Sequence, residues 1–447
     1  MLRETPRLLH GKASSRTMVE SALVGADLPA ANHVFISRVG GEALALADQA
    51  DRLSERGSSS LPFLGIPITV KDNFDIAGVT TTAGSRVLAD LAPALEDAAV
   101  VQSLKRAGFI LLGRTNMTEL AFSGIGINPH FGTPSNPSYP GETRIPGGSS
   151  SGAAVSVALG IVPVAIGTDT GGSVRVPAAL CGVVGFKPTA STISRAGVVS
   201  LSTTLDSVGI LARSVGCCAS LYGVLRDGGG CEKYVSAPPV PESINGLRIG
   251  VIQDTGADPV VEKAIERAIR VLSRAGARLT RVRLLSLEAI PAVQARGTFS
   301  AAEIYAQHRG LIVSGADLYD PRVLSRIMAG AHMSKLDYIA LQVERARLIE
   351  QFGREVSPYD ILLSPTVPMV APTLRSLEDD DEYHNMNLRL LKSPSTVNFL
   401  DGCAISIPCH APGEHPVGLS LIGRNGDDDH VLQVAAAIEP LIDLASR

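Results

Sequence analysis

Short apolar runs alternate along this chain with longer stretches whose apolar positions recur at helical spacing. Leu64–Val70 is a β-branched run that predicts a buried strand. Asp97–Ala107 predicts a helix, Gly108 its stop, and Phe109–Leu112 the strand that follows. Ser151 is placed to cap a helix running through Ala153, Ala154, Val157 and Ala158; Gly160 ends it, and Val162–Ile166 predicts another strand. The second half begins near the Pro-rich Ala237–Pro241, after which Leu247–Ile252 predicts a strand. Asp258 and Pro259 then open a helix as N-cap and first helical residue. Val261, Ala264, Ile265, Ala268, Ile269 and Leu272 share one face of it, Gly276 closes it, and Leu279–Val282 returns as a strand. The alternation predicts an α/β fold with helices on both faces of a sheet. No internal repeat and no long low-complexity linker divides it.

Composition fills in this picture. Apolar residues make up 45% of 447 and charged residues 19%, enough for a large core and little disorder. Trp is absent and aromatics are 4%, so Ala, Val, Leu and Ile must build that core. The net charge of −4, without a long basic run, argues against a phosphate-tracking nucleic-acid surface. The acidic run Glu378–Glu382 predicts a solvated loop. The longest apolar stretch, Ala153–Gly167, is interrupted by Ser156, Gly160 and Pro163 and is too short to cross a bilayer. Cys181, Cys217, Cys218, Cys231, Cys403 and Cys409 form no Cys-x-x-Cys pair, and Met1 opens no secretory signal. A reducing, cytoplasmic setting is expected.

Three segments carry candidate chemistry. In Ile68-Thr-Val-Lys71-Asp72-Asn73 a lysine ends an apolar strand, where burial of an ammonium is costly. Either Lys71 snorkels to the surface, or it is held neutral as a base. An ordinary lysine is neutral in only about one molecule in a few thousand at pH 7, and burial lowers its pKa by up to several units. The second segment, Pro146-Gly-Gly-Ser149-Ser150-Ser151-Gly152, leads into a helix of small residues and so reads as a tight turn, not a linker. It lacks the Gly-Lys-Ser/Thr of a phosphate loop. Gly148, Ser150 and Gly152 match the Gly-x-Ser-x-Gly nucleophile elbow, but Tyr139–Pro146 is poor sequence for the strand an elbow requires. In the third segment, Ala165–Arg175, a strand gives way to Thr168-Asp-Thr-Gly171-Gly172-Ser173. Paired glycines there either make an ordinary turn or aim several backbone N–H groups at one point beside a nucleophile.

Together these segments resemble the amidase signature family. Val-Lys71-Asp-Asn, Gly-Gly-Ser149-Ser-Ser-Gly and Gly-Thr-Asp-Thr-Gly-Gly-Ser173-Val-Arg-x-Pro match its motifs, with the two serines 24 residues apart. The likeness continues through Thr115-Asn-Met-Thr-Glu119, Cys181-Gly182, Gly185-Phe-Lys187-Pro-Thr189, Asp360–Thr366, Ser406-Ile-Pro408 and Pro416–Gly423. It implies a single catalytic domain over 1–447, with a signature core at about 62–215 and a half at about 216–447 completing a large mixed sheet and the substrate pocket. It implies that Ser173 attacks an amide carbonyl and forms an acyl-enzyme, that Ser149 relays protons, and that neutral Lys71 is the base. A cis peptide bond is implied before Ser149. Backbone N–H groups of Thr170, Gly171, Gly172 and Ser173 are implied as the oxyanion hole. Ser150, Thr168, Asp169 and Arg175 would support the loop and the lysine, and Ala121 and Ser123 match acyl-pocket positions. No metal or organic cofactor is implied.

The family also contains glutamine-hydrolysing subunits of aminoacyl-tRNA amidotransferases, membrane-bound lipid amidases and hydrolases of ureido compounds such as biuret derivatives. Val176 stands after Arg175 where the transferase subunit usually has Gln, and the chain ends at Arg447 without a longer tail. Both features favour a stand-alone amidase of a small amide; the glutamine-hydrolysing subunit stays open as an alternative, as does a ureido-compound (biuret-type) hydrolase with a small partner protein, which the sequence also resembles in outline. The pocket is expected from loops around His308–Tyr338 and Glu378–Asn398, with His332 and His384 as exposed loop residues. The implied partner is a small-molecule amide, with homodimerisation left open and neither direct nucleic-acid contact nor a membrane.

Overall fold

In the computed structural model, residues 14–56, 61, 63–226, 240–253 and 256–446 are described. Cys231, most of the Pro-rich Ala237–Pro241 and the start at Met1 lie outside them. Eleven strands form one sheet: β1 (Phe35–Arg38), β2 (Pro67–Lys71), β3 (Ile110–Thr115), β4 (Val164–Asp169), β5 (Val184–Lys187), β6 (Ser207–Ala212), β7 (Arg248–Ile252), β8 (Arg278–Val282), β9 (Ile361–Pro365), β10 (Cys403–Pro408) and β11 (Gly418–Gly423). Their spatial order is β1-β3-β2-β4-β6-β5-β10-β11-β9-β7-β8. The sheet is mixed. β2 runs parallel to β3 and β4, and β7 to β8 and β9, whereas β4–β6, β5–β6 and β10–β11 are antiparallel. The β5–β10 pairing carries the sheet across the boundary between the two halves of the sequence.

Side-chain alternation divides the core between the two faces. Ile68, Val70, Val164, Ile166, Val208 and Ile210 face one side, where they pack against α3 (Ala99–Ala107), α6 (Val215–Leu225), α7 (Pro259–Arg274) and α13 (Asp428–Ser446). Ile110, Leu112, Ala165 and Leu211 face the other, against α1 (Ser15–Ala26), α2 (Gly40–Glu55), α4 (Ser151–Ala158) and α5 (Arg175–Cys181). The remaining helices, α8 (Leu285–Val293), α9 (Phe299–Gly315), α10 (Pro321–Met328), α11 (Lys335–Val356) and α12 (Asp380–Phe399), come from the second half.

Several expectations shift in detail. The strand expected over Leu64–Val70 starts later and extends to Lys71. Gly108, at φ +96, closes α3. Ser151 is not the cap of α4 but its first residue; its hydroxyl and the amide of Gly152 both donate to the Asn116 carbonyl, at 3.3 and 2.9 Å. Asp258 holds the N-cap position of α7, yet its side chain leaves the helix amides and pairs with Arg389 at 2.9 Å. The acidic run at Glu378 is no loop. Asp379 caps α12, and Asp380, Asp381 and Glu382 fill its first turn, where carboxylates complement the helix dipole. The stretches expected as pocket loops are likewise helical. His308 is buried in α9, and His384 is exposed on α12.

Candidate active site

Strand β2 delivers Lys71 into the interior, so a surface lysine is excluded: the side chain is fully buried. Its Nζ lies 2.7 Å from Ser149 Oγ and 2.8 Å from Thr168 Oγ1, with the Thr168 carbonyl at 3.5 Å. Burial pushes its pKa down to about 7, although Asp206 and Asp169 pull in the opposite direction. Asn73 holds the Thr168 hydroxyl from the other side, Nδ2 to Oγ1 at 3.1 Å. The bond preceding Ser149 is cis.

Ser173 follows β4 in a loop that Asp169 organises. The Asp169 carboxylate accepts the amides of Gly172 at 2.8 Å and Val174 at 3.1 Å and pairs with Arg175 at 2.9 Å. Burial raises the Asp169 pKa, but Arg175, Lys187 and Asn398 more than reverse this and hold it well below the usual carboxylate range. Arg175 also donates to the Pro394 carbonyl and to Asn398 Oδ1, at 2.9 and 2.7 Å, which ties the loop to α12. The four amides expected as oxyanion donors differ in their hydrogen bonding. The Gly172 amide is committed to Asp169, whereas those of Thr170, Gly171 and Ser173 have no backbone or side-chain acceptor among the described residues. The Thr170 hydroxyl is fixed by Asp206 at 2.5 Å.

Ser150 joins the two loops. Its amide donates to the Ser173 carbonyl at 3.1 Å and its hydroxyl to the Thr168 carbonyl at 3.3 Å. No strand precedes it, so the elbow geometry is absent. Among the described residues no side-chain hydrogen bond joins Ser149 to Ser173, although their loops are linked through Ser150.

Ala121 and Ser123 sit on a segment pinned to the Ser149 loop. The Thr118 amide donates to the Ser149 carbonyl at 3.1 Å, and the Gly148 amide to the Gly124 carbonyl at 2.8 Å. Leu120 and Ala121 adopt positive φ, 50° and 59°, in the left-handed region that non-glycine residues seldom visit. Ser123 is fully engaged: it donates to Asn387 Oδ1 at 3.0 Å and accepts from Tyr383 and the Ile125 amide at 2.8 and 3.2 Å. It therefore positions α12 and has no hydroxyl capacity left for a ligand. Asp206, Asn387 and Arg326 are not among the residues expected from sequence, and Asn73 and Asn398 are named there without a role. Asn73 stood beside Lys71 in the motif; the others lie far from it in sequence and had no local signal.

The family model described as Amidase matches residues 18–432. The chain belongs to the amidase family. This amidase-family chain is 34% identical to a 2-amino-5-chloromuconic acid deaminase of Comamonas testosteroni, covering 90% of this chain and 87% of the relative. It is 33% identical to a glutamyl-tRNA(Gln) amidotransferase subunit of Roseiflexus sp. (strain RS-1), over 91% and 88%. A solved structure described as an amidase superposes with a TM-score of 0.87 at 31% identity, covering 98% of this chain and 99% of the other. No described helix is long and apolar enough to cross a membrane.

Proposed function

We propose that this amidase hydrolyses a small carboxylic amide to an acid and ammonia or an amine, through an acyl-enzyme on Ser173. The observation that carries this reading is the buried Lys71 amine, 2.7 Å from Ser149 Oγ with its pKa near 7. A neutral amine has two N–H bonds and one lone pair. Thr168 Oγ1 and the Thr168 carbonyl accept the two N–H groups, which leaves the lone pair for the Ser149 hydroxyl proton. As Ser173 Oγ bonds to the carbonyl carbon, its proton passes to Ser149 and the Ser149 proton to Lys71. The amides of Thr170, Gly171 and Ser173 receive the oxyanion; one such donor contributes about 3 kcal/mol. Lys71 then returns its proton through Ser149 to the nitrogen as the carbon–nitrogen bond breaks. Water repeats the sequence against the ester, releasing the acid and the Ser173 hydroxyl.

The continuous sheet supports treating the chain as one catalytic unit. A reducing, cytoplasmic setting belongs to the same proposal, and the five described cysteines are unpaired. Glutamine hydrolysis within an amidotransferase is the second reading, favoured by the relatives that carry that name. Ammonia release by the purified chain from a panel of simple amides decides between them. We expect turnover without other subunits, an acyl adduct on Ser173 by mass spectrometry, and no turnover by Ser173→Ala. Turnover of glutamine alone, and only with partner subunits, would favour the second reading. Full activity of Ser173→Ala would remove the nucleophile assignment.

A further inference from the structure

Strands β4 and β6 run antiparallel, and their ladder ends on the pair Asp169 and Ser207. The next residue on each side, Thr170 and Asp206, therefore meet just beyond the sheet. Asp206 is buried, and its carboxylate accepts four hydrogen bonds. Oδ1 takes the Thr170 hydroxyl at 2.5 Å and the Ser202 amide at 3.1 Å. Oδ2 takes the Ser200 hydroxyl at 2.7 Å and the Leu201 amide at 3.0 Å. Only an ionised carboxylate offers acceptors on both oxygens to such a set, which favours the charged form. Burial raises the Asp206 pKa; these hydrogen bonds and the charge of Arg195 oppose the rise.

The loop that carries Asp206 is itself held by the second half of the chain. Glu303 of α9 accepts from the Ser202 hydroxyl at 2.7 Å, the Thr203 hydroxyl at 3.2 Å and the Thr204 amide at 3.1 Å, and Tyr338 of α11 donates to it at 2.8 Å. Arg195 donates to the Thr203 and Asp206 carbonyls at 2.9 and 3.1 Å. Asp206 is thus a fixed point from which Thr170 hangs. Its charge has a second use. Lys71 feels two carboxylates, Asp206 first and then Asp169. Asp169 is paired with Arg175, and the neighbouring Asp72 with Arg114 at 3.3 Å. No side-chain ion pair of Asp206 is found among the described residues; Arg195 meets its carbonyl. A buried ammonium requires a counter-charge, and Asp206 is the one left uncommitted.

Thr170 stands between the two parts of the site. Two residues before it, Thr168 accepts from Lys71; its own amide has no acceptor among the described residues. We propose that Asp206 is a positioning residue of the reaction: it holds Thr170, and with it the leading edge of the oxyanion loop, and it is the anion against which Lys71 takes up its proton. This rests on the amidase reading of Ser173, Ser149 and Lys71. Asp206 acts through Thr170 and Lys71, and substitution separates the two effects. Asp206→Asn removes the charge and turns a donor toward groups that need an acceptor. Thr170→Val removes the tie and leaves the charge.

Titration of Lys71 reads the charge without turnover. The full chain carrying Ser173→Ala is labelled with carbon-13 at lysine Cε and followed by NMR, the Lys71 signal being identified by its loss in Lys71→Met. Removing a nearby anion disfavours the ammonium, so Asp206→Asn should lower the Lys71 midpoint by about one pH unit, the lower end of what an opposite charge contributes. Thr170→Val should leave it in place. With Ser173 restored, the acid limb of kcat/KM should move down with the midpoint in Asp206→Asn. Thr170→Val should instead lower kcat at least about 10-fold at unchanged KM, with Thr170→Ser much less affected. Amide exchange over residues 168–175, read by mass spectrometry, should quicken in Thr170→Val, a measurement that stands even where Asp206→Asn fails to fold. An unmoved Lys71 midpoint in Asp206→Asn, or unchanged kcat or unchanged exchange in Thr170→Val, overturns the proposal. A shifted midpoint in a chain whose wild type hydrolyses no amide would instead overturn only the amidase reading.

Discussion

Lys71 shows how one buried side chain acquires chemistry from its surroundings. Its ordinary value of 10.5 falls to about 7 because desolvation penalises the ammonium more than Asp206 and Asp169 support it. In the proposed mechanism the reactive form is the deprotonated one. Activity should therefore rise with pH through a single ionisation near 7 and level off above it, as read from kcat/KM between pH 5.5 and 9 on a neutral amide. A flat or falling profile over that range excludes Lys71 as the base. Lys71→Met should cost roughly 10²- to 10⁴-fold in kcat, the usual contribution of general base catalysis. The motif showed that this lysine follows an apolar strand. It did not show whether the amine reaches solvent, because that depends on β4 and the Ser149 loop closing over it.

Among elements, the start of α4 is the most constrained. Gly152 packs so closely that an added Cβ would lie 2.3 Å from the Val34 carbonyl oxygen and 2.7 Å from the Asn116 amide nitrogen. Both neighbours are backbone and cannot rotate away. Gly152→Ala should lower the urea midpoint by an amount equivalent to about 1–3 kcal/mol or more, as overpacked cores do. An unchanged midpoint would mean that β1 and the Asn116 turn yield freely. The glycine was visible in the motif, but its reason was not, since Val34 lies more than a hundred residues away. Ser151 teaches the same lesson: it looks like a cap by local sequence, yet a carbonyl from another segment takes the helix amide.

At the scale of the molecule, the helices α6 and α13 meet around a carboxyl group. Glu439 accepts from the Val215 amide at 2.9 Å, and burial pushes its pKa up to about 7, outweighing that hydrogen bond, with Asp443 adding to the rise. A carboxyl raised above its unfolded value of 4.5 contributes stability in full below about 4.5 and loses it as pH rises through 7. Glu439→Gln keeps the acceptor and removes the charge. It should stabilise the protein by roughly 1–3 kcal/mol at pH 8 and leave it nearly unchanged at pH 4. Thermal unfolding at the two pH values checks this, and equal Tm shifts at both would contradict it.

The sequence by itself determined the α/β class, five of the eleven described strands and three of the helices to within a few residues, and the Lys71, Ser149 and Ser173 motifs. Those features are written in local periodicity and in short runs of glycine and serine. Tertiary structure decided which donors remain free. Ser123 is spent on Asn387 and Tyr383, and Arg326 and Asn387 keep N–H groups without acceptors among the described residues. Hydrogen-bond satisfaction depends on residues brought together from across the chain, 264 positions apart for Ser123 and Asn387. No window of sequence contains both partners.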